Sequence, residues 1–441
     1  MSAHEAHVPT REEVLAGSDR VSSRTLRLIC IVFAAIGTLI FLFGAFTGND
    51  RAWRALLFNW LYFTTISSAG VMFVAAQRIT TARWSRTVIR FLEGYVAFLP
   101  VAFVLLLVIL IGRHHVFWWS NVVPEVTEKR QYLNPGFFFA RTIIVFGIIV
   151  ALSVWYIYTS VRLDVGLAPE GGASWARGLR ERMRRGYRDE RREIHSTHSL
   201  QGKIAVWLGF LFVYGWITLS WDLSMSLDAH FQSTMYGWWF FMGGWVAALA
   251  SFTIITMAWR KYLNRYDLIT ERHFHDLGKL CFAFTAFWGY LTFGQYLVIW
   301  YGNVGEEAHW MRLRLIDPWE GLTLATVTMM FVIPFFGLLS RAAKVYLPTM
   351  TVFALSTVVG LWFHRYLEVY PSVYGTAVGG LPFGLWEIGI GLGYLGVWGF
   401  CYLAFMDAFP RFRFTLMTSP FRDQVQVPVN AKTMEPLPAH E

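Results

Sequence analysis

The chain has 441 residues, 55% of them hydrophobic and 15% charged, and its 38 Lys and Arg against 29 Asp and Glu leave a net charge of +9. A soluble fold cannot cover that much apolar surface, so the composition excludes a water-soluble enzyme and points to a polytopic membrane protein built as one bundle. The basic balance does not indicate nucleic acid, because the arginines fall in loops between apolar runs, where membrane topology accounts for them.

Residues 1–27 are polar and basic without the apolar core of a signal peptide, and read as a cytoplasmic tail. Ten apolar runs follow: Leu28–Phe46, Trp53–Ala76, Val88–Ile111, Phe137–Thr159, Ile204–Ser224, Met235–Trp259, Gly278–Tyr301, Leu322–Leu339, Val345–Tyr366 and Pro382–Ala408. A hydrocarbon core of about 30 Å takes about 20 helical residues, and lipid leaves such runs no other way to pair their backbone groups. The expectation is an all-α polytopic membrane protein with a transmembrane domain over 28–408 and a second cytoplasmic tail over 409–441. Lys and Arg cluster before span one and after spans two, four, six, eight and ten, densest over Arg177–Arg192. By the positive-inside rule that pattern places both termini in the cytoplasm.

Spans two and six echo each other. Each is rich in small residues (Ser67, Ser68, Ala69 and Gly70; Gly243 and Gly244) and each ends in a basic turn before the chain re-enters. Small residues let helices approach closely in lipid. The echo fits two four-helix bundles, spans two to five (about 53–224) and six to nine (about 235–366), with spans one and ten flanking them.

Chemistry is sought among polar groups set inside or at the mouths of spans, since such groups are costly in lipid. Towards the cytoplasmic side stand Glu93, His275, Asp276 and Lys279; towards the other stand Asp228, His230, Gln295, Glu306, Glu307 and Glu387, with Tyr290 between the two mouths of span seven. Glu93 has Arg90 three residues before it, so an ion pair competes with a proton role. Glu387 has no such neighbour in sequence, which makes it the better protonatable candidate. Asp228 and His230 sit in a polar turn after span five, where they can receive a quinol headgroup or a partner, or simply form a capped turn. His275 and His364 fall at the ends of their spans, so no span offers the mid-membrane histidine pairs of a cytochrome b. Cys30, Cys281 and Cys401 lie in apolar runs without metal-site spacing and read as packing residues. No cofactor is expected on the chain itself.

The segments SLDAHFQSTMYG at 226–237, HDLGKL at 275–280 and FGQYLVIWYGNVGEE at 293–307, in the setting of ten spans, resemble a known family. It is the ActF-type integral membrane subunit of alternative complex III, within the NrfD-like, polysulfide-reductase membrane-subunit superfamily. The sequence departs from the family pattern at Ala229 and Gly305, where Pro is common, and at Phe231, where Trp is common; Asp228, His230, Glu306 and Glu307 are retained. The resemblance implies a multi-pass subunit of the bacterial cytoplasmic membrane. Its partners would be a homologous ActC-type subunit, an extracytoplasmic iron–sulfur subunit and haem c subunits, with quinol or menaquinol as the substrate of the complex.

The expected function is thus a cofactor-free membrane subunit of a quinol-oxidising respiratory complex, with proton translocation as an added role. A stand-alone secondary transporter and a structural scaffold are the alternatives. If spans three, seven and ten pack together, Glu93, His275, Asp276 and Lys279 can form one half-channel and Gln295, Glu306, Glu307, Asp228, His230 and Glu387 the other. Phe287, Trp288 and Phe293 would then be the dry barrier, and Tyr290 or Gln295 would anchor a water.

Overall fold

The computed structural model describes residues 9–15, 21–120, 129–376 and 378–420. It is 80% helical, with no strand among the described residues, and ten of its helices are long and apolar enough to cross a membrane. In chain order the elements used below are α1 (Arg24–Phe46), α2 (Asp50–Ile79), α3 (Ile89–Ile111), α4 (Pro135–Leu167), the short α5 (Arg177–Arg184), α6 (Glu190–Leu223), α7 (Tyr236–Leu263), α8 (Glu271–Gly302), the short α9 (Gly305–Arg314), α10 (Glu320–Gly337), α11 (Leu347–Tyr374) and α12 (Leu385–Ala408). Helices α2, α3, α4 and α6 form one four-helix bundle and α7, α8, α10 and α11 the other, while α1 and α12 pack on each other and against α2.

The two echoing helices, α2 and α7, are the buried centre where the bundles meet. A methyl group on Gly244 of α7 would lie 2.8 Å from Cβ of Thr65 in α2, so the crossing requires glycine there. Polar groups on α2 are tolerated because each named here is bonded. Asn59 donates to the Ala55 carbonyl and accepts from Trp362 Nε1, and Ser67 donates to the Phe63 carbonyl and accepts from Trp398 Nε1. In lipid such bonds join helices that apolar contact alone holds weakly.

Prolines explain the interruptions. Pro100 cannot donate to the Val96 carbonyl, and α3 tightens into a 3₁₀ stretch at Gly94–Phe98 just before it. Pro334 follows a π turn at Thr328–Val332 in α10. Pro371 lies inside α11, and its missing N–H frees the Leu367 carbonyl. A side chain from α9 takes up that acceptor, as described below.

Two segments differ from the sequence reading. Helix α11 continues to Tyr374, eight residues past the expected end at Tyr366. Arg365 and Glu368 look like a membrane boundary in sequence, but they pair within the helix and let it go on. Residues 409–420, expected in a tail, turn back under the bundle, where Arg411, Arg413 and Thr415 are buried.

Candidate functional site

The second bundle encloses a cavity of about 660 Å³ between α8, α9, α10 and α11. That is within the range of pockets that hold small organic ligands. Its wall is apolar and aromatic, and Tyr290, Phe293 and Leu315 are exposed at its outer side. Tyr290 and Gln295, of the polar candidates expected from the sequence, belong to it, as do Trp288 and Phe293 of the expected barrier.

At its inner side stand His364 and Glu368, one helical turn apart on α11. His364 Nδ1 lies 3.1 Å from Glu368 Oε1, and that same oxygen accepts from Arg365 Nη1 at 2.6 Å. Arg365 also donates to the Phe240 carbonyl at 2.7 Å and stacks on the Phe240 ring. The arginine thus neutralises the carboxylate from behind. Both ring nitrogens of His364 and Glu368 Oε2 are buried without a hydrogen-bond partner, Nδ1 having only its ion-pair contact, as are Trp288 Nε1 and both amide atoms of Gln295. The ring of His364 is held edge-on between Trp239 and Trp288, with centroids 4.3 and 5.5 Å away. Each buried polar atom left unmatched calls for an explanation, and here several gather on the wall of one cavity.

Arg314, at the end of α9, closes the site from above. Its Nε donates to the Leu367 carbonyl released by Pro371, at 3.0 Å, and its other nitrogens reach the Trp310 and Glu368 carbonyls and Ser372 Oγ. Burial pulls the guanidinium down to about 10, so it remains a cation near neutral pH.

A second cavity, of about 560 Å³, adjoins the first at Gln295, which lines both. It is more polar and carries Lys129, Asp228, Gln232, Thr234 and Glu307. Lys129 Nζ donates to the Ala229 and Phe231 carbonyls at 2.5 and 2.9 Å, fixing the turn. Desolvation lowers the Lys129 ammonium, while Asp228 and Glu306 draw it back up. Asp228 Oδ1 accepts from the His230 and Phe231 amides, so it closes its own turn and does not cap α7. His230 and Glu306 are exposed.

The remaining candidates lie elsewhere. Glu93 is fully buried but bonded to Arg90 at 2.5 Å, Arg413 at 3.0 Å and Ser160 at 2.6 Å; Asp164, which contacts both Arg90 and Arg413, completes the cluster. Glu387 is also fully buried, and it is not the unpaired carboxylate expected from sequence. Arg51, 336 positions away, grips both its oxygens at 2.7 Å, and Tyr370 and the Gly384 amide add further bonds. His275, Asp276 and Lys279 form a partly exposed group at the start of α8, with Lys279 Nζ 2.7 Å from Asp276.

The half-channel arrangement required spans three, seven and ten to pack together. Helix α12 does pack on α3, but α8 sits mainly against α7, α10, α9 and residues 341–345. Of the expected barrier, Trp288 is buried, whereas Phe287 and Phe293 point outward.

A scan of protein-family models finds none that matches the chain, and a search of curated proteins finds no match. Geometry therefore carries the functional reading. Sequence reasoning missed Glu368 and set His364 aside as a helix-end residue. The signal was present: His364 and Glu368 are spaced i, i+4, which puts both on one helix face.

Proposed function

We propose that this chain is an integral membrane subunit of a quinol-oxidising respiratory complex of the alternative complex III kind, and that its second bundle receives the quinol. One observation carries the reading: a quinol-sized apolar cavity in the spanning region ends on a buried His–Glu pair whose free atoms, His364 Nε2 and Glu368 Oε2, have no partner in the fold. A quinol has the matching chemistry, an aromatic ring with two hydroxyl donors on an apolar tail. The tail leaves past Phe293 and Phe331, and the ring stacks among Trp239, Trp288 and Trp310. One hydroxyl donates to His364 Nε2 and passes its proton there with the first electron; once the imidazole has released it, the second hydroxyl's proton follows with the second electron, and the Glu368 carboxylate, 3.1 Å from Nδ1, steadies the imidazolium each time. The two electrons leave for an iron–sulfur or haem c centre of the partner subunits.

The transporter alternative is less well supported. A transporter built from repeats interrupts equivalent helices of its two halves, whereas the breaks here fall in α3 and α10, the second helix of one bundle and the third of the other.

Three tryptophans line the cavity, so bound quinone should quench intrinsic fluorescence. Titration of the purified chain in detergent with a short-chain naphthoquinone analogue is expected to saturate. His364→Leu should weaken binding by about 10- to 100-fold, the loss of a hydrogen bond to a charged or ionisable partner worth about 1.5–3 kcal/mol. Linear, non-saturating quenching that His364→Leu leaves unchanged would refute the site.

A further inference from the structure

Gln295 is 3% exposed, and neither of its amide atoms has a hydrogen-bond partner in the fold. It sits in the wall shared by the two cavities, facing His364, Glu368 and Arg314 on one side and Lys129, Asp228 and Glu307 on the other. A buried primary amide left bare on both atoms is costly, typically 1–3 kcal/mol for each unmatched group, and water is the usual remedy where polar room exists. No group of the fold bonds either amide atom, so packing alone does not call for an amide here.

We infer that Gln295 is the proton outlet of the quinol cavity: it holds the water that links His364 to the polar vestibule bounded by Asp228 and Glu307. The inference rests on the quinol reading above. Each quinol oxidised gives up two electrons, taken one at a time by the iron–sulfur or haem centre of a partner subunit, and two protons. The two protons are received in turn by His364 Nε2, and each passes to the water accepting from, or donating to, the Gln295 amide. A second water on the vestibule side carries it on to the Glu307 or Asp228 carboxylate and to bulk solvent. Gln295 never changes its own charge: its oxygen and its NH₂ orient one water on each face, which makes it a positioning residue. The vestibule lies at the end of the bundle opposite the Arg-rich segment 177–192, so protons released through it leave on that side. Arg314 and Lys129, cations in the walls of the two cavities, disfavour a proton resting there.

The test uses the assembled complex in sealed liposomes, with a short-chain quinol as donor, a soluble electron acceptor, and a pH dye inside or outside. Gln295→Leu is expected to lower turnover roughly 10²-fold, the low end of what a positioned proton-transfer group contributes. It should raise the solvent deuterium isotope effect, with the Kd for the quinone analogue changing far less than the turnover. Gln295→Glu, which can still orient water, should keep most of the turnover. If Gln295→Leu fails to assemble, Gln295→Asn takes its place: shorter by one methylene, it is expected to show the same raised isotope effect. Normal turnover and isotope effect in these variants, with analogue binding intact, would overturn the outlet and leave the quinol site standing. Failure of the unaltered complex to bind the analogue would overturn both.

Discussion

Arg413→Met is the sharpest probe of whether the buried charges near the Arg-rich end are a lock or a proton store. Arg90 and Arg413 face Glu93 and Asp164, two charges of each sign, with Arg413 9% exposed and the other three side chains fully buried. Removing Arg413 deletes the 3.0 Å bond to Glu93 and the 3.5 Å contact to Asp164. One guanidinium is then left between two carboxylates. Breaking a buried pair from one side costs about 3–5 kcal/mol, or on the order of 10²–10⁴ in the unfolding equilibrium at about 1.4 kcal/mol per factor of ten. Adding Glu93→Gln restores neutrality as an Arg90–Asp164 pair, and should return about 0.5–3 kcal/mol of coupling. The assay is the half-life at fixed temperature in detergent, followed by fluorescence-detected size-exclusion chromatography, for both single variants and the double. An Arg413→Met protein as long-lived as the parent would refute the reasoning, because a proton and not the guanidinium would then be neutralising Glu93. A double variant no better than Arg413→Met would refute it equally.

In the assembled complex, Glu93→Gln and Glu387→Gln are each expected to shorten that half-life while leaving quinol turnover and proton release in sealed vesicles unchanged; loss of proton release with normal assembly would return these carboxylates to a proton path. Arg314→Lys cannot reproduce the fork that reaches three carbonyls and Ser372. It should cost about 1–3 kcal/mol through the stranded Leu367 carbonyl and weaken quinone-analogue binding in the fluorescence titration. Gly244→Leu forces a side chain into Thr65 at the α2–α7 crossing and should cost about 1–3 kcal/mol by overpacking, whereas Gly294→Ala, facing only a flexible Met235, should be neutral in the same half-life assay.

The membrane-spanning helices were legible because their signal is local: apolar length identifies a span, and small residues in Trp53–Ala76 and Met235–Trp259 marked the two helices that do meet at the centre. The site was legible only in part. Gln295, Asp228 and Glu307 were picked out as polar groups in or beside spans, and the fold brings these three to one cavity. Glu387 was misjudged because its partner, Arg51, is remote in sequence, and pairing across a bundle leaves no trace at short spacing. His364 and Glu368 were lost to a boundary error. A charged pair looks like the edge of the membrane to a hydropathy reading, yet Arg365 and Glu368 neutralise each other and stay inside. Residues 409–420 were hidden for the opposite reason: a short polar stretch reads as a tail until Glu93 and Asp164 are seen waiting for Arg413 and Thr415.

The most direct measurement is photoaffinity labelling of the purified complex with an azidoquinone, followed by mapping of the modified peptides by mass spectrometry. Adducts on this chain are expected within 286–296, 310–315 and 364–368, suppressed by excess unlabelled quinone and by His364→Leu. Adducts confined to the turn at 224–235, or found only on partner subunits, would contradict a quinol site in the second bundle.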